Sequence, residues 1–330
     1  MSAVPRLSAP PLRSRRGSPR AGLVCLGVAL LLGSCRPVGQ AQAAQGHQPV
    51  PCLEATWAVI EPPPQAVVPA SSGVVDLVCS LLPAARVAAL PSQTLRYSGL
   101  RDDASPHLAR PTFSVYESER ILVHEPDLVL ADTWQSADTT ERLRESGLCV
   151  LVMSEAVNWP AIREQIVQLA RVLGVRAEGE ALVSAYDQRV EALQDQLGEA
   201  PRLGAICYSN GGAGGWLAGA GTTNDEALRL AGLTNLAAET GRRGHVPVSF
   251  EELLVMDPYL IVVGGEVGDQ QQSGTARLLL ENEALSGLQA VRAGRVLVID
   301  SWLYTTTSHH IIDAAEEIAR LAQPYRDLAR

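Results

Sequence analysis

The 330-residue chain contains no lysine; all 27 of its basic residues are arginine. This reads as a compositional bias with no mechanism attached. Aromatic residues are scarce, at 4% of the chain, so each Trp or Tyr that follows an apolar strand stands out. The six cysteines form no Cys-x-x-Cys and no zinc-ligand spacing. His107, His124, His245, His309 and His310 are scattered and no His-rich loop occurs. A bare zinc or manganese site needs three or four convergent ligands, so this pattern argues against one. The sequence has no Gly-x-Ser-x-Gly elbow, no His-Glu-x-x-His and no evident nucleophile–base pair, which argues against an enzyme. The run Gly211–Thr222 is glycine-rich but matches neither GxxxxGK[ST] nor a first-strand GxGxxG. Its glycines are expected to make tight turns and a close backbone approach to a ligand.

The first 35 residues are the most informative stretch. Arg6, Arg13, Arg15, Arg16 and Arg20 precede the almost wholly apolar run Ala21–Leu32, then Gly33, Ser34 and Cys35. This is the order of a secretory signal. The 12-residue run is short of the roughly 20 needed to span a bilayer. Leu32-Gly-Ser-Cys35 resembles a bacterial lipobox, which makes residues 1–34 a leader and Cys35 the lipidated first mature residue. The alternative is an ordinary signal cut within Ala41–Gln45. Either route puts the folded part in the periplasm or cell envelope. Arg36, in place of aspartate, leaves the choice of membrane open. Beyond the leader, 22 arginines face 36 acidic residues, a net charge of −14 with histidine neutral. Such a body suits neither nucleic acid nor an anionic membrane surface. A lipid is then its only hold on a bilayer.

Residues 35–66 read as a tether, rich in Gln, Ala, Gly and Pro and stiffened at Pro62–Pro64. From Val67 the pattern is α/β. Helices are expected at Val74–Leu82, Ser118–His124 and Thr139–Glu145, and strands at Arg86–Leu90, Leu128–Ala131 and Cys149–Met153. Together they make an N-terminal lobe over residues 67–158. Residues 159–199 show only helical periodicity, interrupted near Gly174, and form a connector. A second α/β lobe spans residues 200–330. Its strands are expected at Arg202–Tyr208, Leu260–Val263 and Arg295–Ile299. Its helices are expected at Thr223–Ala231, Ser249–Met256, Glu283–Leu288 and Ile311–Leu321. The fold class is α/β, with similar lobes on either side of a helical connector and a cleft between them.

The lobes echo each other. Glu119-Arg-Ile-Leu122 followed by Pro126-Asp-Leu-Val-Leu130 resembles Glu251-Glu-Leu-Leu254 followed by Pro258-Tyr-Leu-Ile-Val262, at a lag of 132 residues. Ligands of open α/β sheets sit beyond the carboxyl ends of strands. Trp134, Tyr208 and Trp302 all follow or close such strands, and Trp216 lies in the glycine-rich run. Flat rings there suit a ligand with a flat face.

Four stretches, Ser118–Ala131, Ala220–Glu239, Val248–Val262 and Val291–Ile299, carry a resemblance to the periplasmic substrate-binding proteins of cobalamin, haem and iron-siderophore ABC importers. With the connector it covers roughly residues 67–325. It implies two Rossmann-like lobes joined by one long connecting helix with the ligand cleft between them, in a non-catalytic monomer without an intrinsic cofactor. Its partner is a membrane permease with a cytoplasmic ATPase. Its cargo is a bulky metal chelate, cobalamin or a ferric siderophore, with haem a third candidate. It implies permease docking through one surface glutamate per lobe, Glu119 and Glu251, with Glu252 the rival to Glu251. It implies a polar cleft residue before the last helix, His310 or alternatively His309, near Tyr304. Tyr97, His107 and Tyr116 are candidate axial haem ligands, and the region Leu90–Pro111 departs from the cobalamin-binder pattern. Arg96, Arg101, Arg110 and Arg242 are the cations available to an anionic chelate. A sensory or structural lipoprotein remains the alternative function, with a free metal-ion binder or secreted enzyme behind it.

Overall fold

Apolar strands and amphipathic helices build two lobes around one large core that runs through both, with a smaller apolar cluster in each lobe. The computed structural model describes residues 60–330 except 102–103, 212–213, 267–272 and 330. The expected leader, Cys35 and most of the expected tether lie outside the described residues. Both lobes fall within one unit.

The first lobe runs β1 (Val67–Pro69), α1 (Ser72–Leu81), β2 (Leu90–Pro91), α2 (Thr94–Tyr97), β3 (Thr112–Phe113), α3 (Ser118–Leu122), β4 (Leu128–Asp132), α4 (Ala137–Glu145) and β5 (Cys149–Met153). Its sheet is parallel, in the order β1-β4-β5. The expected strand at 86–90 shrinks to one bridge, Val67 to Val87, followed by the short β2–β3 pair. Pro91 withholds a ladder donor there. Val67, Leu128 and Leu130 are buried on one face and Val68, Val129 and Ala131 on the other. A strand covered on both faces reads as a continuous apolar run.

The connector is two helices, α5 (Trp159–Val172) and α6 (Arg176–Leu197). They are separated at Gly174, whose φ is +68°. Ile162, Ile166, Leu169 and Leu173 are fully buried. Each such side chain contributes roughly 1.5–3 kcal/mol of burial free energy, which outweighs the modest propensity of the polar face.

The second lobe runs β6 (Gly204–Gly211), β7 (Gly214–Ala218), α7 (Thr223–Leu230), β8 (Thr234–Asn235), α8 (Leu236–Glu239), β9 (His245–Ser249), α9 (Phe250–Met256), β10 (Leu260–Gly265), α10 (Gly274–Glu281), α11 (Gln289–Arg292), β11 (Val296–Asp300), α12 (Ser301–Tyr304) and α13 (Ile311–Leu328). β11, β10 and β6 are parallel, and β7 and β9 extend the sheet antiparallel. The glycine-rich run is thus largely strand, not loop. Its glycines serve strand-to-strand approach: a Cβ at Gly214 would lie 2.3 Å from the Val248 carbonyl oxygen, and one at Gly215 would lie 2.4 Å from that of Ser209. The expected helix at 283–288 is only a short 3-10 turn, Glu283–Leu285. The last helix, by contrast, runs through Pro324 to Leu328. Arg326 is fully buried there and donates to the carbonyls of Ala231 and Ala319. Tertiary bonds of that kind override the local cost of proline.

The echo between lobes extends to the backbone. Glu125 and Asp257, again 132 residues apart, are the two non-glycine residues with positive φ among the described residues. Each precedes its proline and turns a short helix into a buried strand, β4 or β10.

Candidate ligand cleft and docking face

A cleft of about 430 Å³ is lined from both lobes. From the first come Ser71, Gly73, Val74 and Leu77 at the start of α1, Asp132–Trp134 after β4, and Met153–Val157 after β5. From the second come Gly221–Thr223 at the start of α7, Gly244 and His245 at the start of β9, and Thr307. The β4 and β5 contributions lie at carboxyl ends of parallel strands, where such folds place ligands.

Local bonds fix each piece. Asp132 accepts the Trp134 amide at 3.0 Å, and the Gln135 side chain donates to the Ala70 carbonyl at 3.1 Å. Gln165 of α5 donates to the Ser154 carbonyl. Thr222 caps α7, accepting the Asp225 amide at 3.1 Å. Gly219 donates to Gly244, and Gly244 to Ala220, at 2.9 and 3.0 Å. Two helix N-termini, of α1 and α7, therefore border one cavity and turn amide dipoles toward an acceptor-bearing ligand. Ser71 holds the N-cap position of α1 without making a capping bond, and its buried hydroxyl has no partner. Asp132 and Glu155 place carboxylates in the same lining.

A polar seam joins the lobes beside the cleft. Asp76 of α1 accepts from the Ser98 hydroxyl at 2.5 Å, the Gly99 amide at 2.9 Å and the Ser308 hydroxyl at 3.0 Å. Burial pushes its carboxyl above the usual range, against the His310 charge and these bonds. Ser80 lies 3.2 Å from the His309 ring. Burial, and then the charge of His310, push His309 down to about 3, so it is neutral. His310 bonds Asp313 at 2.7 Å, and Arg189 of α6 donates to both Asp313 and Glu316. Burial acts to raise the Asp313 carboxyl, but the His310 bond and charge and Arg189 outweigh it and hold it at about 2. Gly73 and Gly99 let the two lobes approach closely at this seam. A Cβ on the first would lie 2.1 Å from the Thr307 hydroxyl, and one on the second 2.4 Å from the His310 ring.

Of the aromatic and histidine residues singled out by sequence, Trp134 lines the cleft and is 76% exposed. The others sit outside that lining. Tyr208 is fully buried in the second core and donates to the Gly214 carbonyl at 2.8 Å. Tyr304 packs on Gly264 and accepts from Ser209. Trp302 meets the His310 ring edge-on at 5.1 Å. Tyr97 lies under the Arg96 guanidinium, and Trp216 is half-exposed on β7. His107 bonds the Leu82 carbonyl, and Tyr116 bonds Thr140. Sequence reasoning missed His245, Ser71 and the Met153–Val157 turn. The strand-end rule that singled out Trp134 after β4 applies equally after β5. Nothing in the sequence marked His245.

On the surface, Glu119 and Glu251 are each the second residue of a short helix, α3 and α9, and both are exposed. Glu252 is committed: it completes a capping box with Ser249 and pairs with Arg242 at 2.9 Å. Each glutamate is followed three and four residues on by an exposed Leu-Val pair. Leu122 and Val123 are 38% and 72% exposed, and Leu254 and Val255 are 38% and 88%. Glu251 and Val255 also border a surface groove of about 510 Å³ with Leu236 and Met256.

Residues 106–303 match the sequence profile of the periplasmic binding protein family. The chain belongs to that family. Over 209 residues, 63% of its length, this periplasmic binding protein is 25% identical to the cobalamin-binding protein of Halobacterium salinarum. It is 23% identical over 212 residues to YvrC, an uncharacterised ABC transporter substrate-binding lipoprotein of Bacillus subtilis. The matches span 56% and 65% of those two proteins, less than two thirds of either. The periplasmic haem-binding protein HutB of Vibrio cholerae superposes with a TM-score of 0.68 at 22% identity, over 79% of this chain and 99% of that one. That likeness is one of fold, and the bilobal α/β architecture is shared. Among the described residues no helix is long and apolar enough to cross a membrane.

Proposed function

We propose that this chain is the extracytoplasmic solute-binding component of an ABC importer. It captures a bulky metal chelate of the cobalamin, haem and siderophore kind between its lobes and delivers it to a permease powered by a cytoplasmic ATPase. The observation that carries the reading is the cleft lined from both lobes at strand and helix ends, in a periplasmic binding protein. Trp134 supplies an exposed ring at its edge. The chain binds and does not catalyse. Cys35 carries the lipid anchor, and Glu119 and Glu251 meet permease arginines, which carboxylates bind in bidentate fashion. Among the described residues the Glu251 carboxylate has no bonding partner whereas Glu252 is committed, which supports the choice between them. Titration of the purified chain with cobalamin, haemin and a panel of ferric siderophores, followed by visible absorption and tryptophan fluorescence, tests the reading. Saturable one-to-one binding of any of them upholds it, and binding of none overturns it.

A further inference from the structure

The two glutamates assigned to docking do not stand alone. Glu119 and Glu251 are followed, three and four residues on, by Leu122-Val123 and Leu254-Val255. Residues at those spacings share one face of a helix. α9 spans the second set, and Val123, just past the end of α3, keeps helical angles of −61° and −19°. Each carboxylate therefore shares its face with an apolar pair. The core has no use for these pairs. Ile121 and Leu253, fully buried, fasten each helix to its lobe, while Val123 and Val255 are among the most exposed large apolar side chains. A single apolar side chain on a surface needs no explanation. The same pair beside the same carboxylate in both lobes, 132 residues apart, does.

The charges around the two pairs are arranged alike. In the first lobe Arg120 pairs with Glu117 at 3.7 Å. In the second, Arg242 pairs with Glu252 at 2.9 Å. Each neighbouring guanidinium is thus taken by another carboxylate, and Glu119 and Glu251 have no ion pair among the described residues. The groove at Val255 and Met256 sets Glu239, Glu251 and Glu252 against Arg242 alone. Both patches combine apolar surface with uncompensated negative charge. That combination fits a cationic partner with apolar flanks and repels an anionic lipid surface. An exposed ion pair by itself holds little, because water and salt screen it. It sets register and speeds encounter. Holding the complex takes apolar burial, and a rim that keeps water off the charge.

We propose that Leu122-Val123 and Leu254-Val255 are the apolar half of the docking surface. The partner is a permease whose outer face sets an arginine beside bulky apolar side chains at each of two places, one of these side chains entering the groove at Val255 and Met256. The inference rests on the docking reading above: the glutamates give register, and the apolar pairs supply most of the affinity.

The test uses the full chain with Cys35→Ser, so that no acyl group inserts into lipid. Its binding is measured to nanodiscs holding the permease–ATPase complex of its own cell, and to empty nanodiscs of the same lipid. Sodium chloride is set at about 0.1 M and about 1 M, across which the screening length falls from roughly 10 Å to roughly 3 Å. The parent is expected to bind the loaded nanodiscs at both salts and the empty ones at neither. Glu119→Ala with Glu251→Ala is expected to bind about tenfold more weakly at low salt and to match the parent at high salt. Val123→Ser with Val255→Ser is expected to bind about tenfold more weakly at both. Both valines are exposed, so this variant is expected to keep the parent's melting temperature. Leu328→Ser, which removes an apolar side chain 80% exposed but outside both pairs, is the control and is expected to bind as the parent does. A serine variant that binds like the parent, with the glutamate variant impaired, overturns the apolar half and leaves the docking reading intact. An equal loss in Leu328→Ser overturns it likewise, as does binding to empty nanodiscs that the valine substitutions abolish, the latter in favour of lipid. Full binding by both double variants overturns the apolar half and the docking reading together.

Discussion

Asp76 and Ser308, 232 residues apart in sequence, are joined by a hydrogen bond of 3.0 Å from the serine hydroxyl to the carboxylate. The bond ties the first helix of one lobe to the loop before the last helix of the other. Asp76 is 4% exposed and accepts three bonds in all. Asp76→Ala leaves those donors unanswered in the interior and is expected to cost about 2–4 kcal/mol of stability. Asp76→Asn keeps an acceptor for Gly99 and offers an amide to Ser308. Because burial raises the folded carboxyl above its unfolded value, its contribution is fully present below the unfolded value and is lost as pH rises through the folded one. The Asn variant lacks that loss, so its stability relative to the parent rises with pH. Denaturant unfolding at pH 4 and pH 8 reads this out; a constant difference refutes it.

His309 works in the other direction. Its folded value of about 3 lies below the ordinary 6.5. The unfolded chain therefore takes up a proton that the folded one refuses, and stability falls as pH drops below about 6.5 toward 3. Its second ring nitrogen is buried without a partner, so a proton there would meet no acceptor. His309→Leu is expected to cost about 1 kcal/mol at neutral pH through the lost Ser80 bond and to flatten the acid limb of the stability curve. Unfolding free energies at pH 7, 5.5 and 4 check the slope. An unchanged slope would show that the ring is not the titrating group.

Trp134→Ala is expected to lower cargo affinity about tenfold, equivalent to ~1.4 kcal/mol, with no loss of thermal stability, because the indole is largely exposed. Trp216→Ala, outside the cleft lining, is the matched control and is expected to leave affinity unchanged. Equal effects of the two, measured by calorimetry, would place the cargo elsewhere.

The double variant Glu119→Ala with Glu251→Ala is expected to bind cargo as the parent does and to lose most of its uptake in a transport assay. Glu252→Ala, which removes a capping partner, is expected to affect stability more than uptake. Undiminished uptake by the double variant would dismiss the docking role.

Much of the frame was legible because a few residues force it. Pro126 and Pro258 each stop a short helix, and the apolar runs after them have nowhere to go but a buried strand. The connector was legible through Ile162, Ile166, Leu169 and Leu173, which share a face only in a helix. The strand β7 was not, since Gly214 and Gly215 have no intrinsic strand preference and are set by the clearance to Val248 and Ser209. The cleft was legible in part. Trp134 announced itself as a rare ring after a strand, and Tyr208 did so by the same sign yet turned its ring into the core. Alternation along a strand decides inside from outside only when the register is known. Ser71 is legible as a helix cap, but that it and His245 line the cleft follows from the fold alone.

At the seam, Gly73 and Gly99 leave no room even for a methyl group against Thr307 and His310. Where two surfaces meet with zero clearance, the gap between them is a fixed dimension of the frame. What can still vary is the open rim of the cleft, where the Trp134 indole stands clear of the packed seam.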